Sequence, residues 1–82
     1  MNITPSQKTA LAIVTRAELA NSVLCRTWMR NRVYNRYGRT HYVINYVAAN
    51  SLLDAGLIEW RRDEIFGAYL RRTEAGRQIN LD

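Results

Sequence analysis

The stretch LLDAGLIEWRRDEIFGAYLRRTEAG, residues 52–76, decides how the chain is read. Gly56 closes an apolar-rich run and is followed by Leu57 and Ile58, the position expected of a helix terminator with a left-handed backbone. Ile58 and Trp60, and later Tyr69, sit in short segments suited to strands. The polar bend Arg62-Asp63-Glu64 and Gly67 separate them. Thr73 precedes Glu74-Ala75-Gly76, which reads as a cap and a brief helical turn. The stretch therefore predicts a helix end, a two-stranded antiparallel ribbon and a short helix. Trp60 alternates with Glu59 and Arg61, so it is expected to pack toward the helices, and Trp28 is expected to be a second core anchor.

Upstream, Thr4-Pro5-Ser6-Gln7 predicts a helix start: Thr4 caps, Pro5 fits the first helical position and Gln7 completes a capping box. Ala10, Leu11, Ile13 and Val14 give this helix an apolar side, ending near Thr15. Thr15-Arg16-Ala17-Glu18 repeats the capping-box spacing, which predicts a second helix there, with Leu19, Ala20, Val23 and Leu24 as its buried face. Beyond Cys25 the apolar series shifts to Cys25-Met29-Val33-Tyr37. Either a third helix starts around Thr27, or one long helix changes the side it buries; Gly38 ends whichever is present. Thr40 then caps a helix running to about Ala55, with Ile44, Val47, Ala48 and Ala55 on one apolar face. Tyr42, Tyr46, Ala49 and Leu53 form a second face, and a helix apolar on two sides is usually packed on two sides. The alternative is that Tyr42 and Tyr46 project outward and meet a ligand.

The 52–76 stretch resembles the C-terminal half of the winged-helix DNA-binding domain of small MarR- or PadR-like transcription regulators. Leu52, Leu53, Ala55, Gly56, Leu57, Ile58, Tyr69, Thr73 and Gly76 stand where that pattern has its leucine pair, Ala-Gly-Leu-Ile, hairpin wing and closing Tyr-x-Leu-Thr-x-x-Gly. The closing part departs from it by one extra residue before Thr73. The resemblance implies an α+β winged helix-turn-helix with three or four helices and a two-stranded antiparallel wing. It also implies that the helix before the wing is the recognition helix.

Eighty-two residues are expected to form one domain, 1–82, and an apolar share of 48 % is enough for a single core. No apolar run approaches the roughly 20 residues a membrane span needs, and the N-terminus lacks the layout of a signal peptide. A soluble cytoplasmic protein is the expectation. Cys25 is the only cysteine, which excludes an internal disulfide.

The net charge of +5 is uneven. Residues 26–46 carry Arg26, Arg30, Arg32, Arg36 and Arg39 with no acid, whereas residues 47–82 carry five Arg against six acids. Five unopposed charges, interleaved with Asn31, Asn35, Tyr34 and Tyr37, suit phosphate contacts, and Arg and Asn also read guanine and adenine edges. The structural alternative is a solvated face balanced in space by Asp54, Glu59, Asp63 or Glu64. Arg61-Arg62 and Arg71-Arg72 lie on the two strands of the wing, where arginine suits a narrow minor groove. The expected partner is double-stranded DNA, bound by a monomer or homodimer: the Arg26–Arg39 segment docks, residues around Thr40, His41 and Asn45 read bases, and the wing clamps the backbone. Compact regulators of this kind are common in phages and mobile elements, by analogy.

Asp63 and Glu64 near the wing tip would repel phosphates, and Ile65-Phe66 beside them is an apolar pair more usual at a protein contact. With Tyr42 and Tyr46 it supports a second reading, a protein-interaction module on the same fold, such as a phage-encoded inhibitor of a host complex. His41 and Cys25 each stand alone, and Asp63-Glu64 are adjacent rather than convergent. The sequence therefore predicts no enzyme, no metal and no cofactor.

Overall fold

The computed structural model describes residues 3–19, 24–26, 33–35, 44–64 and 67–81, with 24–26, 33–35 and 63 described through their backbone. Within them the chain is α+β, in the order α1 (Pro5–Leu19), β1 (Leu24–Arg26), β2 (Val33–Asn35), α2 (Tyr46–Asp54), β3 (Ile58–Asp63), β4 (Gly67–Arg72) and α3 (Glu74–Arg77). The strands form one antiparallel sheet in the order β2-β1-β4-β3. The expected ribbon is present, with β3 and β4 paired from Ile58↔Arg72 to Asp63↔Gly67. It is half of a larger sheet, because β1 lies against the other side of β4 through Leu24↔Leu70 and Cys25↔Tyr69. A lone hairpin is marginal in water, and further strands with an apolar face stabilise it.

The start of α1 follows the sequence reading. Gln7 N–H donates to Thr4 Oγ1 (3.1 Å) and Thr4 N–H to Gln7 Oε1 (2.9 Å), a reciprocal capping box. The expected break at Thr15 does not occur, for two reasons. Val14 and Ala17 extend the buried row begun by Ala10 and Leu11, so packing favours continuation. Thr15 Oγ1 also donates back to the Leu11 carbonyl (2.8 Å) instead of capping a new helix. Glu18, the would-be second half of that box, is taken up elsewhere.

The helix or helices expected across 25–37 are corrected where the backbone is described: 24–26 and 33–35 are paired strands, Leu24↔Asn35 through Arg26↔Val33. Pairing of β1 with β2, and of β1 with β4, outweighs the local helical spacing of Cys25 and Val33. Trp28, Tyr37, Gly38 and Thr40 lie outside the described residues. The next helix is shorter than expected. It starts at Tyr46 and is capped by Asn45, whose Oδ1 accepts from Val47 N–H (2.8 Å) and Ala48 N–H (3.3 Å).

Rotation of α2 also differs. Ile44, Ala48, Ala49 and Leu52 are buried, while Val47 is 70 % exposed and Ala55 lies on the surface. Tyr46 and Leu53 are half-buried, so the second apolar face is partly covered.

Helix α2 ends as its sequence requires. Gly56 has φ 73°, its N–H donates to the Leu53 carbonyl (3.1 Å), and Leu57 N–H donates to the Leu52 carbonyl (3.0 Å). This Schellman closure brings Leu52 and Leu57 together in the core. Thr73 then clasps the same turn: its N–H donates to the Leu57 carbonyl (3.1 Å) and its hydroxyl to the Gly56 carbonyl (2.6 Å). The same hydroxyl accepts from Gly76 N–H (3.1 Å), which caps α3. The core lies between α1, α2 and the inner face of β3–β4, where Ile58 and Leu70 are buried and Trp60 packs against the cluster, as its alternation predicted.

Candidate nucleic-acid interface

The sheet register sorts the arginines into two ends. Toward the hairpin turn, Arg62 is paired with Ala68 and Arg61 with Tyr69. Alternation along β3 sends Arg61 and Arg62 to opposite faces of the ribbon, and both are exposed. Arg61 approaches Glu59 (3.7 Å), an open pair that leaves its charge largely available. Strand β1 runs toward the same end. Extending its register from Cys25↔Tyr69 by one residue sets the Arg26 backbone level with Ala68 and Arg62. Three arginines separated by 35 residues in sequence therefore share one end of the sheet, although only Arg61 and Arg62 have described side chains.

Gly67, with φ 77°, turns the hairpin after Asp63↔Gly67, and Glu64 in that turn is exposed. The expected wing-tip pair Ile65 and Phe66 lies outside the described residues. So do Arg30, Asn31, Arg32, Arg36, Arg39, Thr40, His41 and Tyr42. Asn35 is placed only as the end of β2, paired with Leu24.

At the opposite end of β4 the arginines do something the sequence reading did not foresee. Arg71 Nε donates to Glu18 Oε1 (3.1 Å), Arg72 Nε donates to Glu18 Oε2, and Arg77 Nη2 reaches Oε1 (3.4 Å). Arg77 Nη1 also meets Glu74 (3.4 Å). One carboxylate thus joins the end of α1 to the end of β4 and to α3. Burial raises the Glu18 pKa, but the hydrogen bond and charge of Arg72, the Arg71 hydrogen bond and the Arg77 charge together hold it below its ordinary value. Arg71 and Arg72 are therefore engaged within the fold, and Arg71 lies directly across the ladder from Glu59, the residue that Arg61 approaches. Glu18 and Arg77 were missed as site residues. The available signal was that Glu18 is the lone acid before Asp54, set in an otherwise basic half of the chain.

Asn45 is likewise committed locally, since its carbonyl oxygen caps α2; its side chain remains on the surface. Tyr46 follows it, half-buried. Among the described residues no three His, Cys, Asp or Glu side chains gather where they could hold a metal ion, and no helix is long and apolar enough to cross a membrane. No protein-family model, curated protein or solved structure matches the chain.

Proposed function

We propose that the chain is a winged-helix protein that binds double-stranded DNA with some sequence preference and acts as a small transcription regulator. The observation that carries this reading is the hairpin itself. Behind a helix closed by Gly56, β3 presents Arg61 and Arg62 to solvent on opposite faces of a two-stranded ribbon. A ribbon armed in this way can straddle a phosphate backbone or enter a groove. The unopposed arginines of residues 26–46 add the sequence-independent attraction that docks such a module. Asn45 and Arg71-Arg72 contribute less than their positions suggested, because capping and Glu18 occupy them.

The test is a titration against random-sequence duplex at two salt concentrations. Affinity falls with salt by a log–log slope of about −0.9 for each phosphate contacted. Replacing Arg30 and Arg36 together by Ala weakens binding to all sequences and flattens that slope by about 2. Salt-independent or undetectable binding overturns the reading.

A second reading, a protein-interaction module on the same fold, is favoured by one observation. Val47, on the outer side of α2 where a base-reading helix would carry polar groups, is 70 % exposed. Val47→Asp separates the two readings: it abolishes capture of a protein partner, whereas under the DNA reading it lowers duplex affinity through its charge, an effect that high salt screens.

A further inference from the structure

Strand β3 ends the sheet: β4 lies on one side of it, and no described strand lies on the other. The Leu57 carbonyl accepts from Thr73 N–H (3.1 Å), which makes 57 and 73 a hydrogen-bonded pair in the register that runs on to Asp63↔Gly67. Such pairs alternate with non-hydrogen-bonded ones along an antiparallel ladder. Glu59, Arg61 and Asp63 therefore turn their backbone groups toward β4, while Ile58, Trp60 and Arg62 turn theirs outward along the open edge. Exposed edges are usually guarded by a proline, a bulge or lysine charges. Strand β3 has no proline, its register with β4 shows no bulge, and its charges are of both signs.

We propose that the open edge of β3 is a homodimer interface, with two copies of the strand paired antiparallel about Trp60. Hydrogen bonds form across the new ladder only where outward-facing backbone groups meet, so the two-fold axis must pass through a residue of β3 and not between two. Charge then selects the residue. Centring on Arg61 sets Arg61 against itself and Glu59 against Asp63, centring on Glu59 opposes two glutamates, and centring on Arg62 opposes two arginines. Centring on Trp60 sets Trp60 against its symmetry mate, Ile58 against Arg62, and Glu59 against Arg61 twice. Those two charge pairs fall at the non-hydrogen-bonded positions, where opposed side chains are closest. Glu59 and Arg61 are 44 % and 48 % exposed, share one face, and already approach at 3.7 Å within one chain. On its other side Glu59 stands opposite Arg71, whose Nε is given to Glu18. Dimerisation thus builds a four-membered network of alternating sign with no like charges directly opposed. On the inner face the two half-buried Trp60 rings become cross-strand neighbours and extend the apolar layer. The inference stands apart from DNA binding and holds whether or not a duplex is the ligand.

The experiment is sedimentation of the full chain over a concentration series from about 1 µM to about 1 mM; an interface of one strand pair is small, and its dissociation constant is expected on the order of 10–100 µM. The apparent mass rises from one chain to two across that range. Glu59→Arg and Arg61→Glu each turn both charge pairs repulsive, and each raises the dissociation constant about tenfold or more. Mixed in equal amounts, the two variants set arginine against glutamate at both positions, and the mixture recovers the dimer that neither forms alone. That recovery identifies the register, because a dimer through any other face would not show it. Arg62→Pro removes an outward N–H at an edge position where proline leaves the β3–β4 ladder intact, and it also weakens the dimer. A single-chain mass at every concentration overturns the proposal and leaves the edge to a strand from another protein. A dimer that all three variants leave unchanged, or a mixture no more associated than its components, overturns it as well. Should a charge variant fail to fold, Arg62→Pro against the unaltered chain decides.

Discussion

The carbonyl oxygen of Leu57 lies 1.9 Å from the point where a Cβ on Gly76 would stand. Helix α3 can sit on the turn after α2 only because residue 76 has no side chain. Gly76→Ala drives a methyl group into a backbone atom, and nothing at that point is flexible enough to move aside cheaply. The expected loss is about 3 kcal/mol in chemical denaturation, with α3 displaced from the Thr73 clasp.

Gly56 is the contrasting case. A Cβ there meets nothing within 4 Å, and only the positive φ of 73° penalises it. Gly56→Ala is expected to cost about 1–2 kcal/mol from backbone strain alone. Denaturation midpoints of the two variants should rank Gly76→Ala below Gly56→Ala; the reverse order would mean that the close approach at Leu57 is relieved by a small shift.

Glu18 gives the fold an acid limb. Its folded pKa lies below the ordinary 4.5, so the stability it contributes is full above that value and is lost as pH falls through and below it. Glu18→Gln removes the dependence and costs about 1–2 kcal/mol at neutral pH, moderated because Arg71 and Arg77 retain contact with water. Denaturation midpoints measured from pH 7 down to pH 3 should converge for the two proteins at the acid end.

Asn45 separates capping from base reading. Asn45→Ala removes an acceptor that serves two α2 N–H groups and costs about 1 kcal/mol. Asn45→Asp keeps the acceptor and adds negative charge at a helix N-terminus, so stability is held or slightly raised. Under the DNA reading the same Asp lowers duplex affinity. A loss of both stability and affinity in Asn45→Asp would contradict the capping assignment.

Arg61 and Arg62 are expected to matter for binding and hardly at all for folding. Both are exposed, and the Arg61–Glu59 pair is open to water. Replacing both with Ala should leave the midpoint within about 0.5 kcal/mol of unaltered and flatten the salt slope of duplex binding by about 2.

Legibility in the sequence tracked how local each cause is. The Thr4/Gln7 box, the terminator Gly56 and the Thr73 cap each act within a few residues, and each lies where its spacing places it. The box at Thr15 has the same spacing and fails, because its acid is drawn to arginines more than fifty residues away. The strand at Leu24 has one partner nearby at Asn35 and another at Leu70, and the second lies in no window around Cys25. Asn45 was singled out as a surface reader of bases; it is on the surface, but its oxygen serves the helix that follows. The clustering of charge is visible in sequence, whereas the tie of Arg71, Arg72 and Arg77 to Glu18 required the fold.

The pairing of β1 with β4 also orders events in time. Strand β1 can pair with β2 once residue 35 has emerged, but its other neighbour, β4, is not complete until residue 72, when β3 and β4 can also close on each other. The sheet is therefore two local pairs, and joining them carries the entropic cost of closing a loop of more than forty residues between Leu24 and Leu70. Nascent chains arrested before β4 would carry α1 with Leu11 and Val14 short of the sheet that covers them, a species for chaperones.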